Sequence, residues 1–403
     1  MNLDFEYRGI YFTSFFSIFI NGDFELNLNN LNKKDLGTFV HEYCHYIQNV
    51  DTLLGLSNSQ FFYIFISELR QFLNTQNSIS LPLNDFELSE ITLKNKKNFD
   101  NHKGDNANID LDNIENISIE ESNDKILINL SYENGKSNKV HYGSLHVKEG
   151  MAHHLQKYFD PEVEHNSIYL MTELLCENVN PQLLINEEYI ILLSYLSLNS
   201  INSGKAMFQN VKKSLEYPNL NPFDLYIKLR DNTFITINNV KYSNSQAKTV
   251  VLNAFKDTMA QSLLSELKYF NKVFKNIDLV NKGETKGFSE IITNTEFENI
   301  DLIKLLTGIY GLPSIYTNTE LKIIDNNSTE HIELIGQLLV LDRLLEQRGT
   351  TVCNYIHICQ NDSEIKIDDN CYGTQWLRTE NCPFLVTSNH WNLKDKIKAG
   401  NNV

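Results

Sequence analysis

Residues His41-Glu42-Tyr43-Cys44-His45 form an HExxH motif. On a helix, positions i and i+4 lie one turn apart on the same face, so both imidazoles can reach one Zn²⁺. Glu42 is offset by one residue. It is too far round to be a third ligand, yet placed to act as general base on a water that the metal activates. A catalytic zinc also needs a third protein ligand and an open position. Asp51 stands where an HExxHxxGxxH/D pattern would put one, but that pattern turns on a glycine, and Gln48 holds the position and lets the helix run on. Glu149, in HVKEGMAH, falls near the start of a later helix, where small Gly150 and Ala152 would let it approach the first. Its alternative reading is a helix-N-terminal carboxylate favoured by the macrodipole. Glu173 or Glu177, in YLMTELLCEN, is a third choice, with Glu173 better suited to a buried partner. Glu149 is the favoured candidate.

Hydrolysis at such a centre also calls for a donor to the developing oxyanion. Tyr142, His146, His153 and Tyr169 are the nearest in sequence. His153 would face the cleft as an oxyanion or leaving-group donor, its alternative being a surface histidine. Tyr142 would be delivered by closure of a flap.

The elements that must position these groups are legible in part. Asn32 is a suitable N-cap, and Leu36, Val40, Tyr43, Ile47 and Val50 recur at helical spacing, so the motif lies inside an amphipathic helix. Residues 1–30 alternate enough to predict a small β element with a turn at Asn21-Gly22. A second helix, residues 58–75, is its buried neighbour. Together these make a first unit, residues 1–84. Residues 85–142 shift to Asn, Asp, Lys and Glu, with one hairpin signal, residues 125–130 and 139–142 around Asn134-Gly135. This predicts an inserted β-ribbon or mobile flap. Residues 143–350 read as a helical domain carrying the third ligand, with helices at 147–159, 166–178, 187–199, 203–215, 243–273 and 328–348 and a strand pair near Phe234–Ile237. Residues 351–403 are irregular.

HEYCHYIQ followed by a distant EGMA segment resembles the gluzincin arrangement of zinc metallopeptidases, in particular bacterial proteins with HExxHxxQ and a later EGxA helix. The resemblance covers residues 35–56 and 145–178. It implies that His41, His45 and Glu149 bind zinc, that Glu42 activates water, and that the fold is α+β, mostly helical and zincin-like. Two departures stand out: the 103 residues between His45 and Glu149, and His153 where thermolysin-like enzymes carry an aspartate four residues after the ligand glutamate. The expected activity is peptide hydrolysis on a specific protein substrate. A catalytically silent zinc-binding regulatory protein and a zinc hydrolase acting on another bond are the alternatives.

Composition narrows the setting. The 403 residues hold 35 Lys plus Arg against 51 Asp plus Glu, a net charge of −16. Such a surface repels phosphate backbones and argues against a nucleic-acid partner. Hydrophobic residues make up 41%, ample for a packed core. The N-terminus carries Asp4 and Glu6 where a signal peptide would be basic, and no long apolar run occurs. A cytoplasmic protein with reduced thiols and no membrane span is expected, its activity gated by the 85–140 insertion or an activator. Cys353, His357, Cys359, Cys371 and Cys382 lie close together and could hold a structural zinc. Their spacing matches no standard finger, and separate buried thiols are the favoured reading. Cys44 should face the core.

Overall fold

The computed structural model describes residues 9–21, 31–106, 109, 113–163, 167–263, 266–294, 299–317, 321–322 and 329–345, and then 353, 356, 359, 366–372, 375–378, 382–393 and 395–397. The chain is mixed α+β and mostly helical, with small sheets. Strands β1 (Gly9–Phe12) and β2 (Ser17–Ile20) pair antiparallel, and the chain then enters α1 (Lys33–Asp51). Asn32 caps α1 by accepting from the Asp35 N–H, as its sequence position predicts. At the other end Thr52 serves two helices at once. Its hydroxyl donates to the Gln48 carbonyl and accepts from the Gly55 N–H, closing α1 and opening α2 (Leu53–Thr75) without a linker. A Cβ at Gly55 would stand 2.1 Å from the Gln48 carbonyl oxygen, so only glycine permits this junction.

Helix α3 (Glu90–Lys103) precedes a three-stranded antiparallel ribbon, β3 (Ile114–Ser122), β4 (Lys125–Tyr132) and β5 (Ser137–Tyr142). The expected hairpin is β4–β5, and β3 is an additional strand, whose run of Asn, Ser and Glu hid its alternation. The ribbon is no free flap. Ile126, Ile128, Leu130, Tyr132, Val140 and Tyr142 alternate inward and join the main apolar core. Then follow α4 (Ser144–Lys157), α5 (Ser167–Val179), α6 (Glu187–Ser197), α7 (Ser203–Ser214), α8 (Pro222–Asp231), the hairpin β6 (Phe234–Ile237) and β7 (Val240–Ser243), and α9 (Asn244–Ser262). Next are α10 (Lys268–Asn281), α11 (Phe288–Ile292), α12 (Asn299–Tyr310), β8 (Ser314–Tyr316), β9 (Leu321–Lys322), α13 (Thr329–Leu345) and α14 (Pro383–His390). The single long helix expected over 243–273 is two, α9 and α10. Strand β8 returns parallel to β2 and antiparallel to β9, giving the sheet order β1-β2-β8-β9 with β1 at the edge.

The main core draws residues from Phe16 to Leu334. A second cluster gathers Phe15 and Phe19 with residues of α2, α13 and α14 and with Trp391. Gly22 of the expected first turn, the residues expected to alternate before Gly9 and after Gly22, and His357 fall outside the described residues.

Candidate metal centre

Helices α1 and α4 pack together, and the three expected ligands meet between them. Two glycines make room, though not as expected. Gly37 of α1 lies where a Cβ would come 2.7 Å from Asp160 Cβ, just beyond α4. Gly150 of α4 opens toward α5 rather than α1, a Cβ there falling 2.5 Å from Thr172 Oγ1. His41 Nε2 and His45 Nε2 each lie 3.3 Å from Glu149 Oε2. Ligand atoms at the corners of a tetrahedron around Zn²⁺ stand about 3.3 Å apart. The two imidazole–carboxylate separations thus match that edge, all three ligand atoms lie within 4.8 Å of one another, and their chemistry, two imidazoles and a carboxylate, suits zinc. Among the described residues this is the one cluster of His, Cys, Asp and Glu able to hold a metal.

Two glutamines orient the imidazoles. His41 Nδ1 lies 3.0 Å from Gln156 Oε1, and His45 Nδ1 lies 2.9 Å from Gln48 Oε1. An amide oxygen only accepts, so each ring carries a proton on Nδ1 and turns Nε2 to the shared point, where its lone pair would serve a metal. The Gln48 amide is itself fixed, its Nε2 donating to the Lys148 carbonyl at 2.9 Å. Neither glutamine was singled out as a partner from sequence. The available signal was periodicity: Gln48 is three residues past His45, and Gln156 is seven past Glu149, two turns along the same face.

Charge is balanced tightly here. Burial opposes a charged His45, but the Glu149 and Glu42 carboxylates and the Gln48 bond hold its pKa at about 9. Burial likewise works against Glu149, yet the two histidines keep it well below the usual carboxylate range. A divalent cation would take over the role of the His45 proton. Glu42 is 7% exposed, and burial raises its carboxyl against the pull of His41 and His45. The Tyr11 backbone N–H donates to it, and Gly9 lies so close that a Cβ would sit 2.8 Å from Glu42 Cγ. Edge strand β1 therefore runs directly past the expected base.

The remaining candidates stand elsewhere. Asp51 is fully buried at the end of α1. It is ion-paired to Lys248 at 2.9 Å, accepts from the Tyr310 hydroxyl at 2.9 Å and from that of Tyr195, and so is engaged away from the metal-holding group. Glu173 pairs with Lys157 at 2.6 Å and with His154 at 3.4 Å, away from the cluster, and Glu177 is exposed. Tyr142 is 1% exposed and bonds Thr172 through its hydroxyl, because the ribbon face that bears it is packed in the core. His146 stacks on Tyr142 and accepts the Gly143 N–H. His153 is neither on the surface nor open to a cleft. It is fully buried and stacked 5.1 Å from the Tyr169 ring, which stands 5.3 Å from His41. Tyr169 thus stands beside the candidate ligand His41.

Cys44 is core-facing and fully buried. All six cysteines are free. Cys371 is buried against the Arg378 guanidinium, and Cys382 Sγ accepts from the Leu385 N–H at the start of α14. Among the described residues these thiols form no metal-holding group. No helix among the described residues is long and apolar enough to cross a membrane. Comparison of the chain with protein-family models, curated proteins and solved structures finds no match.

Proposed function

We propose that the chain is a zinc-dependent metallopeptidase of zincin type. The observation that carries this is the convergence of His41 Nε2 and His45 Nε2 on Glu149 Oε2, each 3.3 Å from it, with Glu42 one residue from His41 and buried beside them. Bound there, zinc would supply a Lewis acid that brings the pKa of water to about 7 and polarises a carbonyl. Glu42 takes the proton of the attacking water on its carboxylate and hands it to the departing amine. Its burial and the Tyr11 N–H keep that carboxylate in one place. Among the described residues strand β1 pairs with β2 alone, and apart from the Tyr11 N–H given to Glu42 its outer edge is open to an extended peptide. Substrate is thus a polypeptide, presented to a site reached past Glu149, whose side chain is 22% exposed.

The test separates metal from turnover. Purified protein is assayed for zinc content and for cleavage of a quenched-fluorescent peptide library. Wild type should hold about one zinc and lose cleavage on chelation, and Glu42→Gln should keep the zinc and lose cleavage. Zinc retained without cleavage of any peptide by the wild type would instead support a silent zinc-binding protein. Undiminished cleavage by Glu42→Gln would refute the mechanism.

A further inference from the structure

Away from the zinc cluster, a cavity of about 620 Å³ opens between α2, α3, α7 and the β6–β7 hairpin. Residues Thr233 to Ile237 line it, whereas none of Val240 to Ser243 does, so the wall is the β6 side of the hairpin. Among the described residues strand β6 pairs only with β7. The turn joining them, Asn238-Asn239, has both residues at positive φ, 49° and 65°, the two-residue turn in which the flanking pair Ile237 and Val240 exchange their ladder bonds. Alternate residues then turn outward. The N–H and C=O of Phe234 and Thr236 face the cavity, where no group of the described chain bonds them.

The rest of the lining suits a strand laid against that edge. Leu53 and Leu196 are apolar and lie deep, a floor for the side chains that alternate toward it. Across from β6, the side chains of Asn98 and Gln209 make no hydrogen bond among the described residues, and an amide can both donate to and accept from a backbone. Phe234, 65% exposed, stands at the mouth. Charge is the selective feature. The chain has 51 acidic residues, yet no carboxylate lines this cavity, while Lys213, which makes no ion pair among the described residues, does.

We propose that this groove binds an extended polypeptide segment of neutral to acidic character, which adds to β6 as a third strand. Backbone bonds to Phe234 and Thr236 would give affinity, the apolar floor would choose side chains, and Lys213 would disfavour a basic segment. The site is independent of the zinc reading and would stand if that reading failed.

Fluorescence anisotropy on the full-length chain tests it, with three pools of end-capped octapeptides in which Val and Thr alternate with Glu, with Asn or with Lys. The Glu and Asn pools should bind, and the Lys pool about tenfold or more weaker. Thr236→Pro removes an outward N–H without touching the β7 ladder and should weaken binding about tenfold or more, with circular dichroism unchanged. Should that variant fail to fold, amide exchange on wild type decides: Phe234 and Thr236 amides should exchange freely alone and be protected by the Glu pool. Binding by no pool, preference for the Lys pool, indifference to Thr236→Pro or no added protection overturns the proposal. So does protection of both amides before any peptide is added, or a dimer dissolved by Thr236→Pro, because the occupant would then be this chain itself.

Discussion

The side-chain amide of Gln48 donates to the backbone carbonyl of Lys148, 2.9 Å away, while its oxygen holds His45 Nδ1. One glutamine thereby ties the HExxH helix to the peptide unit that immediately precedes Glu149. The two halves of the candidate centre, separated by 103 residues of sequence, are tied together through this side chain and, on the other imidazole, through Gln156 and His41.

Gln48→Ala should therefore weaken the metal without removing a ligand. His45 loses the acceptor that fixes its tautomer and ring, and α4 loses its clasp on α1. Loss of such an outer partner costs 10–100-fold, as an order of magnitude, in metal affinity. Competition against a chromophoric chelator measures it. Gln156→Ala should act in the same way through His41, and equal zinc affinity in all three proteins would remove the orienting role assigned to the glutamines.

Asp51 and Lys248 predict a stability effect of another kind. Both are buried, and the Tyr195 and Tyr310 hydroxyls complete the carboxylate's bonds. Lys248→Met leaves a buried carboxylate uncompensated, a loss of about 3–5 kcal/mol. Asp51→Asn with Lys248→Met leaves no buried charge and should lose less. Urea denaturation of the two variants is the measurement, and a double variant weaker than the single one would contradict this account.

His146 sets a pH dependence. Burial lowers its pKa from the usual 6.5 to about 4, against the raising pull of Asp105. A group whose folded pKa lies below its unfolded one binds protons more readily when unfolded. Its contribution is therefore complete above pH 6.5 and is lost as pH falls toward 4, up to about 3 kcal/mol. His146→Gln, whose side-chain oxygen can still accept the Gly143 N–H, does not titrate. The stability advantage of wild type over this variant should shrink between pH 6.5 and 4, and parallel curves would refute the assignment.

What could be read from the sequence was local. The α1 helix, its Asn32 cap and the shared face of His41 and His45 all follow from spacing within about twenty residues, and the structure has each of them. Glu149 was reachable because Gly150 and the register of α4 marked a closely packed helix, although the glycine serves Thr172 rather than α1. What sequence reading missed depends on contacts between elements far apart. Tyr142 and His153 carry polar groups suited to catalysis, and only the packing of the ribbon against α5 and of Tyr169 against His41 shows them buried. Asp51 has the right residue type at a plausible offset, but Lys248, 197 positions later, claims it. The Asn238-Asn239 hairpin was visible as a strand pair, whereas the cavity beside it is made by α3 and α7 and has no signature along the chain.

Gly9 gives the sharpest test of the expected base. A Cβ at this position would lie 2.8 Å from Glu42 Cγ, 3.0 Å from its Oε1 and 2.9 Å from Thr38 Cγ2. Gly9→Ala must therefore move either the Glu42 side chain or strand β1, which also supplies the Tyr11 N–H to that carboxylate. The candidate metal ligands are on α1 and α4 and are not among the atoms that a Gly9 Cβ would meet, so metal content should be unchanged. Displacement of a general base by even about 1 Å costs on the order of 10²-fold in rate. We expect Gly9→Ala to hold about one zinc and to cleave peptides about a hundredfold more slowly, mainly through kcat. Unchanged kcat would mean that Glu42 tolerates the crowding and that β1 is not what positions it. Loss of zinc would mean that β1 supports the ligands as well as the base.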